Sequence, residues 1–393
     1  MTPLSIARSS ELSASVTKPA ARRVYFPNLD GLRFLAFFGV FLFHSFYTPD
    51  SAIRARTAYQ WAHGLTRSGD LGVNFFFVLS GFLITYLLLS ERQATGRIAI
   101  GPFYVRRILR IWPLYFVVLL LGFVVLPIVR ARFGEHEFHE TAHPAYFLLF
   151  IANFNNLYYG CQTPTLTVLW SVCVEEQFYL VWPLLVAAVP TRRLGWLFGG
   201  VLVVNLLFRA WHQGNNDLLN LHTLSVIGDM ALGGTAAWLC FRDDRLVTAV
   251  AALPRWGIGL GYALGLGLLV ARDALLQLPG YIVFDRLVLA VFFAFVLLEQ
   301  NYARHSFVKI GQLRWLSYWG TYTYGLYCLH FVALLAAYQL LHRLGLNQSV
   351  AGVLLGDNAV GLALAMLLSW LSFTYYEKPF LKLKNRFAFI KTH

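Results

Sequence analysis

Long apolar runs separated by short polar stretches set the layout of this 393-residue chain. Ten of them, at about residues 32–48, 71–89, 112–130, 166–189, 194–211, 221–240, 256–272, 281–298, 315–341 and 350–376, are long enough to cross roughly 30 Å of hydrocarbon as helices. The pattern predicts an all-α fold: a polytopic membrane helix bundle of about ten transmembrane helices. The first 26 residues, rich in Ser, Ala, Arg and Thr with no apolar core, read as a disordered cytoplasmic tail and not as a signal peptide or a span.

Composition agrees, since only 13% of residues are charged, against about 25% in a soluble domain. The net charge of +13 would suit nucleic acid, but a basic excess confined to short loops is what membrane topology produces, so no nucleic-acid partner is expected. Of the 32 Lys and Arg, 22 fall on the side of the tail and the C-terminus and 8 on the other. Both termini are therefore expected in the cytoplasm. The membrane domain is taken as residues 27–380, with no soluble domain appended. Residues 381–393 alternate apolar positions with Lys382, Lys384, Arg386 and Lys391, and read as a basic interfacial C-terminal tail facing anionic lipid. Cys173, Cys240 and Cys328 lie in apolar runs and Cys161 in a loop, so no disulfide framework is visible.

Ionisable residues inside spans are costly and point to function. Arg33 and His44 lie eleven positions apart in the first span, which returns to within about 20° of the same helix face, roughly 16 Å further along. Topology places Arg33 towards the cytoplasm and His44 towards the outside. In the second span, Asn74, Ser80 and Gly81 interrupt an apolar helix and allow close approach of a neighbour or a ligand. Arg107 and Arg110 are helix neighbours just before Trp112-Pro113, with Pro113 suited to a helix start, and arginine favours bidentate phosphate contact. The fourth span carries the adjacent Glu175 and Glu176, which diverge by about 100°, so one should face a pore and the other a helix partner such as an arginine. His330, in the ninth span, is a second buried histidine at a depth like that of His44. His139-Glu140-Thr-Ala-His143 has the HExxH spacing of zinc proteases, but Pro144 disfavours helix at His143, so a solvated polar loop is expected and no metal site. Glu377-Lys378-Pro379 reads as a helix stop.

In order along residues 28–380, these pieces resemble acyltransferase family 3, the integral membrane O-acyltransferases. The likeness rests on Arg33-x10-His44, on Phe75-Phe-Phe-Val-Leu-Ser-Gly-Phe82, and on Arg107-x-x-Arg110 before Ile111-x-Pro-Leu-Tyr115. It rests further on Trp170-Ser-x3-Glu-Glu-Gln-Phe-Tyr179, on Tyr324-x-x-Tyr-x-x-His330, and on Glu377-x-Pro379. Any one of these is weak, whereas six in order are specific. The second span carries Asn74 where members of the family often have an acid, and the esterase-like extracytoplasmic domain fused to some members is not expected within these 393 residues.

The resemblance implies a bacterial cytoplasmic (inner) membrane enzyme using an acyl-CoA, usually acetyl-CoA, as donor. Its phosphates would dock on Arg33, Arg107 and Arg110. A glycan or glycolipid hydroxyl would be the acceptor, with membrane lipid around the bundle. His44 would act as general base or transient acyl carrier, and Glu175 or Glu176 would orient its imidazole. Ser80, Tyr179 and His330 would position substrate. The alternative from another class is a proton-coupled or glycan/lipid transporter using the same buried Arg, His and Glu residues, although the inverted repeats and broken helices common in transporters are not evident.

Overall fold

In a computed structural model of the protein, residues 26–132 and 139–387 are described. The stretch before residue 26, part of the loop around 135 and the end of the basic C-terminal segment lie outside them. Every regular element among the described residues is helical. The membrane-scale helices are α1 (Leu29–His44), α2 (Gly72–Thr95), α3 (Ile100–Leu120), α4 (Leu169–Ala188), α5 (Leu194–Trp211) and α6 (Thr223–Arg242). They continue with α7 (Arg255–Leu275), α8 (Tyr281–Tyr302), α9 (Thr323–Arg343) and α10 (Asn358–Leu371). A short basic helix, α11 (Lys378–Lys384), follows.

Each predicted apolar run contains one of these helices. Nine helices among the described residues are long and apolar enough to span a bilayer, one fewer than the runs suggested. The shortfall is α1, whose 16 residues extend only about 24 Å at 1.5 Å per residue; α10 counts because it is the middle of a continuous 36-residue helical stretch, Gly352–Phe387. His44 is thus the last residue of its helix and does not lie within a longer span. The run expected at 315–341 is also divided: a helix at Arg314–Gly320 ends before α9 begins.

Pro113 departs from expectation, because it sits inside α3 and not at its start. An internal proline removes one main-chain hydrogen bond, and in a membrane helix neighbouring side chains can satisfy carbonyls that helical bonding leaves open. The carbonyl that Pro113 leaves without its helical donor is that of Leu109; from outside, the Tyr324 hydroxyl donates to the Ile111 carbonyl at 2.8 Å and the Tyr376 hydroxyl to the Pro113 carbonyl at 3.3 Å, and the two tie α3 across the proline to α9 and to the turn after α10. Helix α3 therefore extends back to Ile100 and carries Arg107 and Arg110 on its own surface, against the bundle.

In the HExxH spacing His139, Thr141 and His143 are exposed, as a solvated loop requires, while Ala142 and the segment that follows are packed. His143 is extended (φ −91°, ψ 117°) ahead of Pro144, as that proline requires. Glu140 accepts the main-chain N–H groups of Ala142 and Gln162. Phe147 is fully buried, and Phe150 stacks on Tyr115 with ring centres 4.6 Å apart.

The tightest helix contact joins α2 to α6. A β-carbon on Gly81 would strike the main-chain carbonyl of Met230, and one on Gly233 the carbonyl of Val78. The two glycines interlock the helices backbone against backbone, the arrangement small residues permit in membranes. Gly81→Leu should cost more than the roughly 1–3 kcal/mol typical of overpacking, because main chain cannot swing aside as a side chain can. Thermal melting of the detergent-purified variant would show this as a lowered Tm; an unchanged Tm would refute the interlock.

Candidate active site

A cavity of about 220 Å³ opens between α1, α2, α3, α4 and α9. One helical step separates Ser80 from Gly81, so α2 presents the hydroxyl to this cavity while its glycine locks onto α6. On α4, Glu175 faces the cavity and accepts from Ser80 Oγ at 2.9 Å and from Tyr179 OH at 2.8 Å. Tyr179 OH also lies 3.1 Å from Ser80 Oγ, closing a three-membered network. The Arg107 guanidinium caps this network, 5.4 Å from the ring centre of Tyr179 and 5.5 Å from that of Phe103. Its Nε is buried without a hydrogen-bond partner.

The cavity widens, past Asp30, Arg33, Arg107, Arg110 and Lys384, into a second chamber of about 820 Å³. Arg33 is offset by Asp30 at 2.5 Å, and Arg106 by Glu91 at 3.2 Å. Arg107 and Arg110 have no ion pair among the described residues. Three arginines named from the sequence thus share one wall with Ser80, Glu175 and Tyr179.

Glu176 turns away from the cavity, as the 100° step requires. Its partner is the indole of Trp112, which donates at 2.9 Å, and not an arginine. The other carboxylate oxygen is buried without a partner. Neither carboxylate orients His44, contrary to the sequence reading; the partner of that imidazole is His330. His44 Nδ1 lies 3.1 Å from His330 Nε2, with the rings 5.1 Å apart at an angle of 29°. His330 Nδ1 lies 2.6 Å from the Tyr327 carbonyl. A carbonyl can only accept, so in the neutral pair His330 carries its proton on Nδ1, leaving Nε2 to accept from His44 Nδ1–H. His44 Nε2 is then left with a free lone pair.

The histidine pair lies just beyond the cavity wall. Tyr327 joins the two places: its carbonyl holds His330, while its side chain lines the cavity and bonds Ser171 through hydroxyls 2.6 Å apart. Ser171 and Tyr327 both sit inside motifs singled out above, yet only the folded arrangement shows their use. A buried ion pair escaped the sequence reading altogether. Arg286 of α8 bonds Asp229 of α6 at 2.5 Å, with its guanidinium 6.0 Å from the ring of Phe77, a cavity-wall residue. Fifty-seven residues separate the two, and no local spacing links Arg286 to Asp229.

The helical membrane bundle thus holds a cationic chamber leading to hydroxyl and carboxylate groups, with an imidazole pair behind the cavity wall, and these are side chains that group transfer draws on. Comparison with known families agrees: the family model described as an acyltransferase domain matches residues 26–374, and the chain belongs to acyltransferase family 3. It is 32% identical over 203 residues to the peptidoglycan O-acetyltransferase OatA of Listeria monocytogenes, covering 48% of this chain and 29% of that one. It is 36% identical over 168 residues to the O-acetyltransferase OatA of Staphylococcus aureus (strain NCTC 8325 / PS 47), covering 41% and 25%. The chain spans only 25–35% of the length of the curated relatives it matches. No solved structure matches it.

Proposed function

We propose that this chain is an acyl-CoA-dependent O-acyltransferase, moving an acyl group, acetyl in the simplest case, from a cytoplasmic CoA thioester to a hydroxyl of an extracytoplasmic or membrane-facing glycan. The observation that carries it is the continuity of the cationic chamber with the Ser80–Glu175–Tyr179 cavity, one residue short of the His44–His330 pair. The nucleotide phosphates lie among Arg33, Arg107 and Arg110, and the pantetheine arm points along α1 towards His44. Both termini and the cationic mouth are on the cytoplasmic side of the inner membrane in this reading.

His44 Nε2 takes the acceptor hydroxyl proton as that oxygen attacks the thioester carbonyl carbon. The C–S bond breaks, the CoA thiolate leaves, and the imidazolium returns the proton to sulfur. Glu175 fixes the Ser80 and Tyr179 hydroxyls that position the thioester end, while His330 holds the tautomer of His44. Tyr327, which lines the cavity and has its ring 5.9 Å from that of His330, stands between cavity and imidazole and must turn aside for the reacting atoms to meet.

Incubating the purified protein with acetyl-CoA labelled in the acetyl group tests this directly. Binding of the CoA ester and transfer of label to a glycan fraction are the expected outcome. A protein that binds no CoA ester at millimolar concentration, yet carries glycan or lipid across a bilayer, would overturn it in favour of transport.

A further inference from the structure

The wider chamber holds more positive charge than its carboxylates offset. Asp30 is taken by Arg33 and Glu91 by Arg106. Lys378, Lys382, Lys384 and Arg386 come from α11 and the turn after it, and they line the same chamber as Arg107 and Arg110. The sequence reading sent Lys382, Lys384 and Arg386 to the lipid surface. Their placement has a structural cause: a widened π turn at Ser372–Glu377 ends α10, Pro379 sits in the first turn of α11, and the helix packs on α3. Arg106 Nη1 then pins the end of the segment by donating to the Phe387 carbonyl at 2.7 Å.

The cations fall into two groups. Arg33, Arg107, Arg110 and, from α11, Lys384 border the narrow cavity as well as the chamber, whereas Lys378, Lys382 and Arg386 border the chamber alone. Like charges brought together on fixed helices call for an anion with more than one charged centre. A CoA ester has two such centres, the pyrophosphate that leads into the pantetheine arm and the 3′-phosphate on the ribose.

We propose that α11 and the turn after it are the specificity element for the 3′-phosphate, so that the enzyme selects 3′-phosphorylated nucleotide thioesters over otherwise identical donors lacking that group. This rests on the donor reading above, with the pyrophosphate on the arginines of α1 and α3. Lys382 and Arg386 are exposed, so changing them leaves the helix packing intact.

The test is calorimetric binding of CoA and of 3′-dephospho-CoA to the full chain and to its Lys382→Gln/Arg386→Gln double variant, in bilayers with and without anionic phospholipid. The wild type should bind CoA about tenfold or more tighter than dephospho-CoA. The double variant should bind both alike, at the wild-type affinity for dephospho-CoA. A variant that keeps the wild-type ratio, or a wild type without preference, overturns the role of α11 while leaving the donor reading in place. A wild type that binds neither nucleotide removes both. A variant altered only in its response to anionic phospholipid assigns these cations to lipid headgroups and overturns the proposal.

Discussion

His44→Ala should lower acyl transfer by roughly two to four orders of magnitude, the contribution typical of a positioned general base, with CoA binding unchanged. The separation follows from geometry: His44 touches His330 and Phe331, not the residues of the cationic chamber. His330→Ala should cost less, because the base remains and only its tautomer is released. Single-turnover assays of inserted, correctly sized protein, paired with equilibrium CoA binding, measure both quantities. Undiminished transfer by the His44 variant would eliminate it as the base.

Arg107→Ala should show the opposite signature, weaker donor binding before any effect on chemistry. A charge-assisted contact to phosphate contributes about 1.5–3 kcal/mol, so the donor Kd should rise roughly 10- to 150-fold. Arg107 is the arginine to choose because its charge has no ion-pair partner among the described residues and its guanidinium is held between Phe103 and Tyr179. Arg33 is the poorer choice, because its loss would also uncover the Asp30 carboxylate in the chamber. Equal Kd values for wild type and Arg107→Ala would remove Arg107 from the donor site.

The helices were legible because each backbone group in lipid must be satisfied within its own helix, so every span is a continuous apolar run. The side-chain partners were not, because depth in the membrane does not give direction around the bundle. His44 and His330 could be placed at similar depth, yet they are 286 residues apart and nothing local says that they touch. The 100° step between Glu175 and Glu176 correctly required divergent partners; that Trp112 would take one and Ser80 with Tyr179 the other depended on how α2, α3 and α4 pack. Pro113 misled because a proline is tolerated inside a membrane helix that its neighbours brace, here through the Tyr324 and Tyr376 hydroxyls on the Ile111 and Pro113 carbonyls. Lys382 and Lys384 misled for another reason: a basic apolar alternation looks the same whether it meets a lipid headgroup or the wall of a chamber.

The α2–α6 interlock bears on how sequences of this fold can drift. A clash between two side chains can be relieved by trimming either one, which lets paired positions wander together over generations. At Gly81 and Gly233 the opposing atoms are the carbonyls of Met230 and Val78, and no codon change alters a carbonyl. A larger residue at either position therefore has no compensating partner on the facing helix, so each glycine is fixed independently. The residue one step away, Ser80, meets side chains instead, the Glu175 carboxylate and the Tyr179 hydroxyl, so a change there can be answered by a change in its partners.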